Sequence, residues 1–168
     1  MLKLVKMEDK YFPQLYEMMD EWTAAKEKII PFSIRRCDYH NGSEYIESLE
    51  TKETNGKNVP DSTFFCLNTD RNIFVGAVNI RHYLNEQLLA VGGHIGDGIR
   101  PSERRKGYGT KMVALSVIEC QKLGIQNILM CCDKVNTASA RTIINNGGVL
   151  ENEIDDNGTT VQRYRIKT

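Results

Sequence analysis

Hydrophobic positions at helical spacing predict the first helix of this chain. Leu2 to Met7 alternates weakly between apolar and polar residues and favours a strand, and Pro13 stands near the expected start of the helix that follows. Residues 23–61 carry weaker patterns. Within them, Ser43 to Leu49 favours a short helix, and the polar, turn-rich stretch Thr51 to Asp61 favours a loop. The apolar face of the first helix is formed by Leu15, Met18, Met19 and Trp22.

Three apolar runs in the middle of the chain predict consecutive strands. They cover Thr63 to Leu67, Ile73 to Arg81 and Leu88 to Ile99. The turn-forming residues 68–72 join the first two as a hairpin, and residues 85–86 turn the second into the third. Because each connection is short, we expect the three strands to form an antiparallel meander.

The last third of the chain predicts two helices and three strands. Lys111 to Leu123 is amphipathic and stops at Gly124, as expected for a helix. Gln126 to Cys132 is almost continuously apolar, which is typical of a strand covered on both faces. The order strand, helix, strand predicts that it runs parallel to its predecessor. The remaining elements are a helix over Thr137 to Asn146 and a hairpin of Val149 to Ile154 and Thr160 to Ile166 around Asp156-Asn157-Gly158.

A short basic turn, Ile99 to Thr110, joins the third strand of the meander to the amphipathic helix. Gly107 and Gly109 allow the backbone to approach a ligand closely, because no β-carbon intervenes. The start of the helix supplies unpaired N–H groups and the positive end of the helix dipole. The turn therefore predicts a site for a phosphate or pyrophosphate group. Positive side chains add to it at Arg104, Arg105 and Lys106.

Composition and charge narrow the class of protein. The 168 residues suit one domain spanning 1–168, and equal numbers of basic and acidic residues, 22 each, argue against binding to nucleic acid or membranes. No apolar run reaches the roughly 18 residues of a membrane span, and we recognise no signal peptide. Five cysteines without a Cys-x-x-Cys pair predict free thiols in the cytoplasm and no metal site.

The turn and the order of elements resemble the GNAT superfamily of acyl-CoA N-acyltransferases. That family carries Gln/Arg-x-x-Gly-x-Gly/Ala at this junction, which Arg104, Gly107 and Gly109 match. It also has an Asn just after the next strand, here Asn136, and a Gly ending the next helix, here Gly147. The motifs lie within residues 62–150, and the N-terminal third agrees only in its order of elements. The resemblance implies an α+β fold, with a mostly antiparallel, V-splayed central sheet of about seven strands flanked by about four helices.

The resemblance implies an acetyl-CoA-dependent N-acetyltransferase without a metal, whose acceptor is a primary amine of a small molecule or peptide. The amine attacks the acetyl carbon directly, and the Ile99 N–H polarises the thioester carbonyl. Pyrophosphate lies on the N–H groups of Arg105 to Thr110, and Asn136 and Ser139 reach the pantetheine arm. Dimers are frequent in the family, so a homodimer is one expectation. The residues expected at the cofactor are Ile99, Arg100, Arg104, Arg105, Lys106, Gly107, Tyr108, Gly109, Thr110, Asn136 and Ser139.

The chain departs from the family where proton transfer is concerned. Many members carry a Tyr about seven residues after the Asn to protonate the leaving thiolate, and Ile143 stands there in this sequence. Another group or water must supply that proton. The candidates for the base that deprotonates the acceptor are His82, His94 and Asp97, each of which is also compatible with a purely structural role.

Other interpretations rest on the same residues. A dinucleotide-binding turn would have Asp133 near the expected ribose position, but Met112 replaces its third glycine and a meander precedes it. A domain that binds acetyl-CoA as a sensor, without turnover, is favoured by Ile143. A purely structural protein leaves the basic turn unexplained. For the acceptor, five acidic residues suit a cationic amine or a solvated surface equally: Asp20, Glu21, Glu44, Glu47 and Asp61.

Overall fold

Two antiparallel sheets form the centre of the computed structural model, which describes all 168 residues. The first has the order β1-β2-β3-β4, and the second has the order β5-β7-β6. The expected α+β fold with seven strands and four α-helices is confirmed. The strands are β1 (Leu2–Val5), β2 (Asp61–Asn68), β3 (Ile73–Arg81), β4 (Ile95–Ile99), β5 (Asn127–Asp133), β6 (Val149–Asp156) and β7 (Thr159–Lys167). The helices are α1 (Phe12–Ala24), α2 (Gly42–Ser48), α3 (Tyr108–Lys122) and α4 (Thr137–Asn145).

Helix α1 covers one face of the four-stranded sheet. Its four predicted apolar residues are all buried, and they share a hydrophobic cluster with Phe65, Phe74 and Ala77 of β2 and β3. Burying a large apolar side chain contributes roughly 1.5–3 kcal/mol, so this face is a major source of stability. It also fixes α1 beside β4, since β3 is the neighbour of β4 in the sheet.

Helices α3 and α4 pack against a second apolar cluster. Val78 and Ile95 of β3 and β4 meet Val113 of α3, Ile128 of β5 and Ile143 of α4 there. This cluster connects the two sheets through side chains, although few backbone hydrogen bonds join them. Both helices therefore have fixed positions relative to β4, beside which the candidate site lies.

The predicted strand over Leu88 to Ile99 is only half correct. Leu88–Gly92 is a turn of π-helix, and β4 begins at Ile95. The side chain of Asn85 accepts a hydrogen bond from the Leu88 N–H at 2.9 Å, which starts a helical turn in place of a strand. The Arg163 guanidinium of β7 donates to the carbonyl of Leu89 at 2.7 Å and holds this turn against the second sheet.

The predicted parallel pairing of β4 with β5 is wrong. The two segments share only one isolated bridge, between Gly93 and Met130, and it is antiparallel in type. Beside it, the His94 N–H donates to the Leu129 carbonyl at 2.7 Å, and the imidazole Nδ1 accepts from the Leu129 N–H at 2.9 Å. Because this side chain takes the position of the next backbone acceptor, no ladder continues. Beyond this point the two strands belong to separate sheets and share no backbone ladder.

All five cysteines are free thiols, and Cys66, Cys120 and Cys132 are buried. None of the helices combines the length and the apolar character that a membrane crossing requires.

Candidate functional site

A cleft of about 1010 Å³ lies between β4, the basic turn and α4. The turn forms one wall, and α4 forms the opposite wall. Ten of the predicted residues line it, which brings together positions separated by more than forty residues in the sequence. These ten are Asp97, Ile99, Arg104, Arg105, Gly107, Tyr108, Gly109, Thr110, Asn136 and Ser139.

The edge of β4 presents backbone donors to the cleft. The Arg100 N–H donates to the Val75 carbonyl and the Arg81 N–H donates to the His94 carbonyl, so even-numbered residues of β4 pair with β3. In an antiparallel pair the intervening residues point their N–H groups the other way. The amides of Asp97 and Ile99 therefore point away from β3, toward the side on which β5 diverges. These two donors are arranged to pair with an extended ligand that lies along β4.

The basic turn presents a second group of free backbone donors. The N–H groups of residues 105 to 110 donate to no protein acceptor, and the first helical hydrogen bond of α3 comes from Lys111 to Gly107. Gly107 has φ +77°, a conformation that favours glycine, and no other protein atom lies within 4 Å of its β-carbon position. Six amides in this arrangement, at the positive end of a helix, form an anion site.

Cationic side chains around this turn differ in their partners. The Arg104 guanidinium donates to the Ile99 carbonyl at 3.0 Å and to Glu27 at 2.6 Å, so it braces the turn from inside the cleft. Arg105 and Arg141 line the cleft and form no ion pair within the protein. Lys106 lies outside the lining, where its ammonium pairs with Glu103 at 3.2 Å.

Arg100 lies outside the cleft although it was expected at the cofactor. Its side chain is buried, with only 5% exposed, and it bonds Glu17 and Glu21 of α1. The Glu21 carboxylate also accepts from the N–H of Ser102 at 2.7 Å. Burial opposes ionisation of Glu21, but the hydrogen bonds from Arg100 and Ser102 outweigh it and lower the pKa of that carboxyl. Arg100 thus fastens the turn to α1.

Helix α4 contributes one wall through its first three turns. Asn136 caps the helix, since its Oδ1 accepts from the Ser139 N–H at 3.2 Å, and its side-chain N–H₂ group is free to donate to a ligand. Sequence reasoning did not single out the other α4 residues of this wall. Their helical spacing after Asn136 is the signal that could have found them. The missed lining residues are Trp22, Ile30, Gly98, Glu103, Thr137, Ala138, Arg141, Thr142 and Asn145.

Ile143 belongs to the core and not to the cleft. Its side chain is fully buried in the cluster that joins the two sheets. Gly148 packs directly on it, so closely that a β-carbon at Gly148 would collide with Ile143. The position where many GNAT proteins carry a tyrosine therefore offers no proton donor here.

The three candidate bases have different surroundings. Asp97 is half-buried and lines the cleft, and burial raises the pKa of its carboxyl to about 6, against the opposing charge of Arg81. His94 is buried beside Leu129, outside the lining, and burial followed by the charges of Arg165 and Arg81 lowers the pKa of its imidazole to about 4. His82 lies outside the lining too, with its Nε2 2.9 Å from the Ser62 hydroxyl.

The acidic residues considered for a cationic acceptor are mostly engaged in other contacts. Asp20 accepts from the Tyr39 hydroxyl at 2.6 Å, Glu21 holds Arg100, and Asp61 pairs with Arg36. Glu44 and Glu47 line neither this cleft nor the smaller cavity near β3. The structure therefore provides no free acidic cluster at the cleft.

Comparisons with known proteins agree on one family. Residues 1–149 match the family model described as the acetyltransferase (GNAT) domain. Comparison with the curated proteins finds no match.

Solved structures of similar fold cover nearly the whole chain at low identity. An acetyltransferase of the GNAT family from Bacillus anthracis is 20% identical with a TM-score of 0.65, and the match covers 99% of this chain and 94% of that one. The microcin C7 self-immunity acetyltransferase MccE, crystallised with acetyl-CoA and AMP, is 18% identical with a TM-score of 0.67, over 99% and 92% of the two chains. RimL, a ribosomal L7/L12 α-N-protein acetyltransferase, is 14% identical with a TM-score of 0.67, over 99% and 90%.

Proposed function

Since this chain belongs to the GNAT family of acetyltransferases, we propose that it binds acetyl-CoA and transfers the acetyl group to a primary amine of a small molecule or peptide. The observation that carries the proposal is the set of unpaired backbone donors along one cleft. Two lie on β4, at Asp97 and Ile99, and six lie on residues 105 to 110. Among the similar structures, MccE was crystallised with acetyl-CoA.

The residues of the cleft fit acetyl-CoA in its separate parts. The six amides of the turn, with Arg105 and Arg141 beside them, suit a pyrophosphate group. The open edge of β4 suits an amide-bearing pantetheine arm, which would pair with it as another strand does. On the opposite wall, Asn136 and Ser139 provide polar groups for the same arm. When bound, acetyl-CoA supplies an activated acyl group as a thioester.

We assign the reacting end of the cleft to Ile99 and Asp97. The Ile99 N–H donates to the carbonyl oxygen of the thioester, and one such donor is worth about 3 kcal/mol in the transition state. The Asp97 carboxylate takes a proton from the acceptor ammonium, directly or through one water. The neutral amine then attacks the acetyl carbon in a ternary complex, so a C–N bond forms and the C–S bond breaks. The nitrogen releases its second proton to water as the amide forms.

Water protonates the leaving thiolate in this proposal. Ile143 is apolar and buried, so the position of the usual tyrosine has no hydroxyl. A thiol has a reference pKa of about 8.5, so its thiolate is a tolerable leaving group at neutral pH without a dedicated acid.

The absence of a hydroxyl at Ile143 favours a second candidate function, an acetyl-CoA-binding sensor without turnover. A sensor needs the anion site and the strand-like groove but no proton donor for a thiolate. It predicts tight binding of acetyl-CoA and no release of CoA that depends on an acceptor.

Release of free thiol from acetyl-CoA across a panel of amines separates the two functions. We expect acceptor-dependent release, together with an N-acetylated product detected by mass spectrometry. Binding without acceptor-dependent release would instead identify a sensor. No binding of acetyl-CoA, or binding that the Gly107→Ala substitution leaves untouched, would contradict the assignment of the cleft.

A further inference from the structure

A second, smaller cavity of about 260 Å³ lies on the α1 side of the four-stranded sheet. It is bounded by the segment after α1, the loop before β2 and the π-helical turn before β4. Four of its lining residues are ionisable, and three of these are cations. They are Arg36, Lys57 and Arg81, against the single carboxylate of Asp61.

Arg81 forms no ion pair within the protein, although the charges of Asp61 and Asp97 are close enough to favour its own charge. Its Nη1 makes two long hydrogen bonds of 3.4 Å to the carbonyls of Gly92 and Gly93, and its Nε and Nη2 donate to no protein acceptor. Burial lowers the pKa of its guanidinium, as expected for a cation held out of water. A half-buried guanidinium without a carboxylate partner is costly, unless an anion enters beside it.

Asp61 favours the charge of Arg81 but forms no hydrogen bond or ion pair with its guanidinium. One of its carboxylate oxygens pairs with the Arg36 guanidinium, and the other accepts from the Thr51 N–H at 2.7 Å. Arg36 in turn has a buried Nε that lacks any hydrogen-bond partner. Lys57 forms no ion pair within the protein. The cavity therefore keeps an excess of positive charge after its internal pair is formed.

The cavity ends next to the reacting end of the acetyl-CoA cleft. A β-carbon built at Gly96 would lie 3.1 Å from both Nη atoms of Arg81, so the guanidinium lies directly over this glycine of β4. Gly98, which faces the same side of β4 as Gly96, lines the cleft, and so does Asp97 from the opposite face. The segment after α1 also borders both spaces, through Ile30 at the cleft and Phe32 at the cavity.

From this juxtaposition we infer that the acceptor is an amine that also carries an oxyanion, either a carboxylate or a phosphate. Arg81 binds that anion with its planar fork of donors, and Arg36 and Lys57 add to the positive field. The amine end then extends over Gly96 to the open edge of β4, where Gly98 and Asp97 line the cleft. The volume suits the acidic end of a small molecule or a terminal carboxylate. The inference rests on the proposed function and adds the chemical class of the acceptor to it.

The inference can be tested with pairs of amines in which one member carries the anionic group and the other lacks it. We would measure initial rates with amino acids, their carboxamides and the matching aminoalkyl phosphonates, at saturating acetyl-CoA. We expect at least one acidic series to have a KM lower than its neutral amide by about tenfold or more. Arg81→Gln removes this preference and leaves the KM for acetyl-CoA unchanged, and Arg81→Lys restores part of it because charge returns without the fork.

Arg165→Gln is the matched control. Arg165 pairs with Glu151 on the outer sheet and lines neither cavity, so its replacement keeps the preference for acidic amines. Calorimetric titration of the same amines into the protein with bound CoA gives a readout that does not need turnover. Melting temperatures of all variants exclude misfolding as the cause of a change.

The outcomes separate the inference from the function on which it rests. Equal use of acidic and neutral amines, or an unchanged preference in Arg81→Gln, overturns the acidic acceptor and leaves the acetyltransferase intact. Anion binding that needs Arg81, without any release of CoA, supports the basic cavity and overturns the transferase. If the protein shows no turnover and no anion-dependent binding, both the acidic acceptor and the transferase are overturned.

Discussion

At the scale of single residues, the raised pKa of Asp97 lowers the stability of the fold at neutral pH and makes the carboxylate a stronger base. Its carboxyl has a pKa of about 6 in the fold and 3.8 ordinarily, because burial disfavours the charge. The folded protein therefore holds more protons than the unfolded chain between about pH 4 and pH 6. Stability falls as the pH rises through this range. The same shift makes Asp97 a stronger base at neutral pH than an exposed aspartate is.

We predict that Asp97→Asn lowers kcat by about a hundredfold, because the base is lost, while it stabilises the fold above pH 6. In the unsubstituted protein, kcat/KM should fall as the pH drops below about 6, where Asp97 becomes protonated. A pH–rate profile and denaturant titrations at pH 4.5 and pH 7.5 measure both effects. A profile in Asp97→Asn that still falls at the same pH would assign the base to another group.

At this scale, the sequence predicts a site residue only where the role requires that residue type. Gly107 could be placed at the turn because its left-handed backbone favours glycine, Gly109 because a small residue lets the backbone approach a ligand, and Asn136 because it starts a helix. Arg100 could not be placed, because it pairs with Glu21, which lies 79 residues earlier in the chain. Nothing local distinguishes a cation that binds a ligand from one that fastens two elements together.

At the scale of secondary structure elements, α3 carries the same kind of glycine at both ends. Gly107 precedes its first residue and Gly124 follows its last turn, and both have φ +77° with no other protein atom within 4 Å of the β-carbon position. Only the first lies in the cleft. The two glycines therefore separate the effect of backbone strain from the effect of ligand binding.

We predict that Gly107→Ala and Gly124→Ala destabilise the protein similarly, by about 1–2 kcal/mol each, because both force a side chain into the left-handed region. Only Gly107→Ala should weaken the binding of acetyl-CoA, since the strained turn shifts its amides. Denaturant titration and calorimetry measure the two quantities. An equal loss of affinity in Gly124→Ala would show that binding depends on helix stability and not on the turn.

The elements that the sequence misassigned share one physical cause. Leu88 to Gly92 has the apolar character of a strand, but the Asn85 side chain and the contact with Arg163 stabilise a helical turn there. β5 has the apolar run of a buried strand, yet the His94 imidazole stops it from pairing with β4. Periodicity reports which residues are buried, and it does not report which distant partner takes each hydrogen bond.

At the scale of the whole molecule, the two sheets depend on side chains more than on backbone for their connection. Where the two sheets diverge, they are linked by the bridge between Gly93 and Met130 and by the hydrogen bonds between His94 and the Leu129 backbone. A ligand in the cleft would contact β4 and the turn on one side and α4 on the other. It would therefore add contacts between parts of the fold that are otherwise joined mainly through the core.

We predict that CoA at about 100 times its Kd raises the melting temperature by roughly 5–10 °C, since such saturation contributes about 2.7 kcal/mol in a protein of this size. Differential scanning fluorimetry measures the shift. Removing the pyrophosphate should abolish most of it, so pantetheine serves as the control ligand. A full shift with pantetheine alone would contradict the role of the turn amides.

The open edge of β4 also affects how the protein avoids self-association. An unpaired strand edge is a template for strand addition by another chain, and proteins protect such edges. Here the edge strand β4 is five residues long. β5 meets the chain just before it, at the bridge between Gly93 and Met130, so the gap between the two strands is closed at that end. A strand from another copy would meet that closed end after a few residues, whereas a slender, flexible arm can follow the edge. The same geometry that leaves room for a slender ligand thus disfavours strand addition by another copy.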